Sequence, residues 1–329
     1  MITRRRFARF STALLPAAWA GSIWAQSPKA AMPDLARILT GFPPGGTLDA
    51  LARRVAERMR GHYAATVVVD NKPGAGGQIG ILTLRDSPAD GTSLLITPSS
   101  MLSIYPYTYP KLRYAIGDVA PVLLGAMMDH GLAVGPGTPE GVRTLADFLA
   151  WAKENPASAS YGSPGAGSMP HMVGVLLGQF AKVEMQHIAY RGTVPGMQDL
   201  LGGQIPAFWG PIGDYLQHGK TGKLRVLAIS GNVRSPFLPQ VPTLQEQGYP
   251  LRVREWYGFF LPGKASPETV QRAADALRPA LAHPDVAEYG KQYGLEIQSS
   301  TPAELARMLQ ADADQWRSLI KRTGFTAES

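Results

Sequence analysis

The residues best suited to hold a small anion lie in two glycine-rich turns, each followed by a helical apolar pattern. The first is Phe42-Pro43-Pro44-Gly45-Gly46-Thr47, with Asp49 two positions on. Arg37-Ile38-Leu39-Thr40 feeds it as a strand. Leu48, Leu51, Ala52, Val55, Ala56 and Met59 then recur at three-and-four spacing, which predicts a helix beginning near Thr47. Such a turn exposes unpaired backbone N–H groups at the positive end of a helix dipole, and the bare backbone at Gly45 and Gly46 lets a carboxylate or phosphate come close. The same residues also read as a tight turn capped by Thr47, worth about 1 kcal/mol to the helix and nothing to binding. Asp49 offsets the dipole whether or not a ligand exists.

The second turn, Tyr161-Gly162-Ser163-Pro164-Gly165-Ala166-Gly167-Ser168-Met169-Pro170-His171, repeats the design. Ser168 suits an N-cap, and Pro170 is tolerated in a first turn. His171 reads either as a donor to a ligand or as a partly buried histidine bonded to backbone. Ser99 and Ser100, after Leu94-Leu95-Ile96-Thr97, and Tyr190-Arg191-Gly192-Thr193 occupy the same kind of strand-end position. In open α/β sheets, ligands bind at the carboxyl ends of the strands, so two such loops on two lobes would grip one anion from both sides.

Other chemistries are missing. The chain has no cysteine, which excludes disulfides, thiolate metal sites and thiol nucleophiles. Gly74-Ala75-Gly76-Gly77-Gln78-Ile79-Gly80 has its third glycine displaced from the dinucleotide fingerprint, and Gly219-Lys220-Thr221 has Asp214 where a P-loop needs glycine. None of the six histidines is followed by Glu, and no serine sits in a nucleophile elbow. No catalytic residue, metal or cofactor is expected, and no basic stripe with interleaved aromatics suggests nucleic acid.

Stretches of strand and helix alternate along the 329 residues, the pattern of α/β lobes with largely parallel sheets. Strands are expected at 66–69, 93–97, 185–190 and 224–230, and one long strand at 119–135 crosses toward a second lobe. The chain crosses back at 256–261, and helices follow at 267–282 and 302–322. The expected division is residues 26–133 with 255–329 in one lobe and 134–254 in the other, hinged near Val134 and Trp256.

Ahead of the lobes, Arg4-Arg5-Arg6-Phe7 precedes an apolar run from Ala13 to Ala25, the layout of a secretory signal ending before Gln26. The arginines suit a twin-arginine address and an ordinary secretory one alike. The run is too short to cross a bilayer, and Pro16 interrupts it. Loss of four arginines with residues 1–25 lowers the formal charge from +7 to +3, a mildly basic mature protein compatible with an anionic ligand.

Several ordered blocks resemble the Bug family, the periplasmic receptors of tripartite tricarboxylate transporters. They are FPPGGTLD (42–49), NKPGAGGQIG (71–80), ADGTSLLIT (89–97), YGSPGAGSMPH (161–171), YRGTVPGMQDLLGGQI (190–205), GKLRVLAIS (222–230) and VPTLQEQGYP (241–250). The resemblance implies a two-lobed, "Venus flytrap" binding protein of the type II-like periplasmic class, without catalytic activity. It would be monomeric and would deliver a small carboxylate to membrane transporter subunits. A signalling receptor of the same fold is the alternative, and a hydrolase using Asp49 and His171 a remote third.

The ligand-binding set expected from the turns and the resemblance together is Phe42, Gly45, Gly46, Thr47, Asp49, Ser99, Ser100, Ser163, Gly167, Ser168, His171, Tyr190, Thr193 and Gly210. Two departures from the family pattern bear on the ligand. Pro170 stands where relatives have a small hydroxyl residue, and Phe208-Trp209-Gly210-Pro211 where many have Phe-Asp-Asn. With that acid replaced by Gly210, with Asp49 the sole acid nearby and with Phe208 and Trp209 as a possible wall, a dicarboxylate or aromatic acid is expected over an amino acid.

Overall fold

A computed structural model describes residues 32–219 and 222–325. The expected signal segment, 1–25, and Lys220-Thr221 lie outside these residues.

The first sheet is built from β1 (Leu35–Thr40), β2 (Thr66–Asn71), β3 (Ser93–Pro98) and β4 (Val119–Met128), with α1 (Thr47–Met59), α2 (Gln78–Arg85) and the short α3 (Ser100–Ser103) and α4 (Tyr105–Thr108) between them. The second holds β5 (His130–Val134), β6 (Ser160–Ser163), β7 (Gln186–Ala189), β8 (Ala207–Pro211) and β9 (Arg225–Ile229), interleaved with α5 (Leu145–Glu154), α6 (Met169–Ala181), α7 (Thr193–Leu201) and α8 (Ile212–His218). The chain then returns to the first sheet as β10 (Glu255–Pro262), α9 (Pro267–Ala282), α10 (Pro284–Gln292), β11 (Leu295–Ile297) and α11 (Pro302–Thr323). Strand orders are β11-β4-β10-β3-β1-β2 and β7-β6-β8-β5-β9.

Helices cover both faces of each sheet, and the apolar patterning says why. In α1 the residues at three-and-four spacing, Leu48, Leu51, Ala52, Val55, Ala56 and Met59, are all buried, as an amphipathic helix on a sheet requires. Central β3 is buried along its whole length, the signature of a strand covered on both faces. On β8 the pleat sends Trp209 to one core and Phe208 to the other.

Three features differ from the sequence expectation. The sheets are mixed: β1, β2 and β3 run parallel, as do β6, β7 and β8, but β10 is antiparallel to β3 and β4, and β5 to β8 and β9. The long 119–135 strand is two strands split at Asp129, with residues from His130 onward in the second sheet, whereas the expected division fell at 133/134. The chain passes between sheets at Asp129 and again at Arg254, rather than at Val134 and Trp256, and these two residues pair with each other, Arg254 Nε to Asp129 Oδ1 at 2.9 Å.

Helix α11 also does more than close the first lobe. Its Leu305 and Leu309 pack with Trp256 and Phe260 of the first lobe, while Trp316 and Ile320 sit in the core of the second with Met172 and Trp209. One 22-residue helix thus spans both bodies.

Candidate ligand cleft

Loops leaving the carboxyl ends of β1, β3, β6, β7 and β8 converge on a cavity between the sheets. Its walls include Phe42, Gly46, Thr47 and Asp49 from the first turn, Pro164, Gly165, Ser168 and Pro170 from the second, and Thr193 and Val194 from the start of α7. Met101, His130, Pro211, Asp214, Glu255 and Tyr257 complete much of the rest. The N-terminal ends of α1, α6 and α7 therefore face one space, and no Lys or Arg among the described residues lines it. The closed cleft leaves about 50 Å³ for the centres of water-sized atoms. A single water needs roughly 10–15 Å³ on that measure, so only a small molecule fits.

In the first turn, Gly45 takes φ +95°, a conformation that favours glycine, while Gly46 is extended (φ −83°, ψ 172°) and is the N-cap of α1. Thr47 is therefore the first helical residue rather than the cap. Its hydroxyl donates across the cleft to Asp214 Oδ1 at 2.9 Å. Asp49 is held locally, since its carboxylate accepts from Gly45 N (3.0 Å), Arg53 Nε (2.8 Å) and Asn71 Nδ2 (2.9 Å). Burial pushes its pKa up, but these partners outweigh burial and hold it below the usual value.

The second turn is also tied up internally. Ser168 is the N-cap of α6, yet its hydroxyl donates to Gly165 O at 2.6 Å instead of capping the helix. His171 is not a ligand donor here, because its Nδ1 accepts from Gly167 N (2.8 Å) and its ring stacks on His187 with centroids 3.5 Å apart. His187 Nε2 in turn meets Ser163 Oγ at 2.7 Å. Burial lowers His171 to about 4. Burial, with the neighbouring His171, lowers His187 to about 3.

Of the fourteen expected residues, Phe42, Gly46, Thr47, Asp49, Ser168 and Thr193 line the cavity, and Gly45, Ser99, Ser100, Ser163, Gly167, His171, Tyr190 and Gly210 do not. Ser99 is buried at the end of β3. Ser100 Oγ donates to Glu255 Oε1 and accepts from Met169 N at 3.0 Å, a contact between the lobes. Tyr190 donates to Asp199 at 2.8 Å. Gly210 faces the opposite side of β8, where a Cβ would come within 2.7 Å of the Phe208 ring. Phe208 and Trp209 are fully buried in their cores and give the cleft no aromatic wall.

The residues that the sequence did not single out are Asp214, Glu255 and His130. Burial raises Asp214 to about 6, against hydrogen bonds from Thr47 and Thr193. Glu255 is raised to about 7 by burial, against hydrogen bonds from Ser100. His130 lies 3.3 Å from Glu255, and burial lowers it to about 3. Burial thus disfavours the charged form of both members of the pair. Asp49 is accordingly not the sole acid near the site. No sequence signal flags the other two, since Asp214 sits in a seven-residue helix and Glu255 opens a return strand.

Two lobes joined by paired crossings, with helix N-termini turned into a closed cleft, define a solute-binding receptor. The model described as "Tripartite tricarboxylate transporter family receptor" matches residues 51–325, and the chain belongs to that family, as its motifs imply. Among curated relatives it is 34% identical over 282 residues to the UPF0065 protein in the tcbD-tcbE intergenic region of a Pseudomonas species, covering 85% of this chain and 83% of that one. It is 29% identical to Protein BugT of Bordetella pertussis, covering 88% and 89%. The structure of the periplasmic binding protein BugD superposes with a TM-score of 0.82 at 29% identity, covering 89% of this chain and 98% of that one. An R. palustris protein with adipate gives 0.83 at 25%, with the same coverage.

Proposed function

We propose that the mature protein captures a small organic carboxylate in this cleft and presents it to the membrane subunits of a tripartite transporter, after export by the 1–25 signal to the periplasm. Phe42, Gly46, Thr47, Ser168 and Thr193 contact the ligand, its carboxylate resting on the N-terminal ends of α1, α6 and α7. The observation that carries this reading is the convergence of three helix N-termini on a cavity that, among the described residues, no Lys or Arg lines. Each such terminus favours an anion by typically 0.3–1 kcal/mol, and more where partly buried. The adipate bound in the R. palustris relative supports the ligand class.

Hydrolysis by Asp49 and His171 is disfavoured. Asp49 is engaged by three donors, and His171 accepts from backbone and is stacked outside the cavity. The expectation of an amine-free ligand rested on the family acid replaced by Gly210, on Asp49 being the sole acid nearby and on a Phe208-Trp209 wall, and Asp214 and Glu255 in the cavity wall remove the second premise. Isothermal calorimetry of the mature protein against adipate, succinate, glutarate, benzoate and the acidic amino acids tests the reading. Saturable binding of at least one carboxylate is expected, and silence across the panel rejects it. Uptake of the bound acid by vesicles containing the transporter subunits, lost when the receptor is omitted, separates transport from signalling.

A further inference from the structure

Asp214 has no structural task that uses its whole carboxylate. It stands at the third position of α8, where an acid ordinarily closes a capping box on the N–H of the N-cap residue. The N-cap here is Pro211, which has no N–H, and it makes no side-chain cap bond. Oδ1 receives the Thr47 hydroxyl, and the Thr47 N–H and the Thr193 hydroxyl also favour the charged carboxylate, while Oδ2 is buried without a hydrogen bond of its own. The residue is 8% exposed and lines the cavity. The other two acids of the wall are accounted for: Asp49 pairs with Arg53, and Glu255 is bonded by Ser100 and His130.

The cavity therefore sets two unlike groups side by side. Helix N-termini offer donors for an anion, and beside those of α1 and α7 Asp214 Oδ2 offers an unpartnered acceptor, with no cation near it among the ion pairs of the described residues. A dianion would set its second charge against that carboxylate. A buried acceptor without a donor is costly, and a ligand that brings the donor removes the cost.

We propose that the ligand is a carboxylate that also carries an ammonium group, the carboxylate on the helix N-termini and the ammonium against Asp214 Oδ2. This rests on the carboxylate-receptor reading and narrows its ligand class.

The test uses matched pairs that differ only in the amine: alanine and propionate, aspartate and succinate, glutamate and glutarate, phenylalanine and 3-phenylpropionate. Calorimetry on the wild-type mature protein is expected to give, for the pair that binds best, at least tenfold tighter binding by the amine-bearing member. In Asp214→Asn, which keeps shape and removes charge, that ratio collapses toward one. Equal or tighter binding by the amine-free member in the wild type overturns the proposal and leaves the receptor reading standing. So does a ratio that survives Asp214→Asn. Failure of every compound to bind overturns both. The wild-type ratio decides even if the variant does not fold.

Discussion

Gly46 and the stacked histidines show how single positions set binding and stability. Gly46 is extended, so a side chain there is conformationally allowed, and a Cβ would lie 3.9 Å from Val194 Cγ2 across the cleft. Gly46→Val, at the N-cap of α1, should lower the melting temperature by only a few degrees while weakening carboxylate binding at least tenfold, about 1.4 kcal/mol, by calorimetry. His171 and His187 are both held neutral, with folded values of about 4 and about 3 against 6.5 for the free side chain. A depressed histidine contributes stability above the unfolded value, and that contribution is lost as pH falls through the window toward the folded one. Thermal denaturation between pH 7 and 4 should therefore show a steeper loss of stability in the wild type than in His187→Gln, and parallel curves would contradict the assignment.

Among the elements, α8 decides how closely the lobes meet. Gly213 in its first turn abuts the Tyr293 carbonyl between α10 and β11, with no room for a Cβ. The contact joins a helix of the second lobe to the backbone of the first, so Gly213→Ala should hold the cleft partly open. Ligand affinity should fall at least tenfold, while circular dichroism reports an unchanged fold. An unaltered affinity would mean that α8 can retreat. Gly210, by contrast, faces the Phe208 and Tyr215 side of β8, so an acid placed there would bury a charge in a core rather than reach the ligand.

At the scale of the molecule, the two crossings are pinned by Arg254 and Asp129, and α11 adds a third link by burying Leu305 and Leu309 in one lobe and Trp316 and Ile320 in the other. Further contacts join residues of the two lobes: Thr47 to Asp214, Met169 N to Ser100 Oγ, and Tyr109 to Ala166 O. Hinge closure about the 129 and 254 crossings predicts a smaller radius of gyration with a bound carboxylate than without, by small-angle X-ray scattering. Identical scattering curves at saturation would exclude closure as part of binding.

The sequence by itself determined what depends on neighbours along the chain. Strand, glycine turn and amphipathic helix at 37–59 were legible because turn chemistry and three-and-four periodicity are local. The ordered motif blocks carried the family for the same reason. Tertiary structure decided the orientation of each group and the company it keeps. Thr47 and Asp214 are 167 positions apart and meet only because the lobes close. His171 turns from the cleft because Gly167 N–H and the His187 ring claim it. Gly210 faces away because β8 alternates sides, a parity that depends on where the strand is seated. The charge of the cleft was likewise hidden, since Asp214, Glu255 and His130 come from three distant elements, and burial sets their protonation only once those elements are packed together.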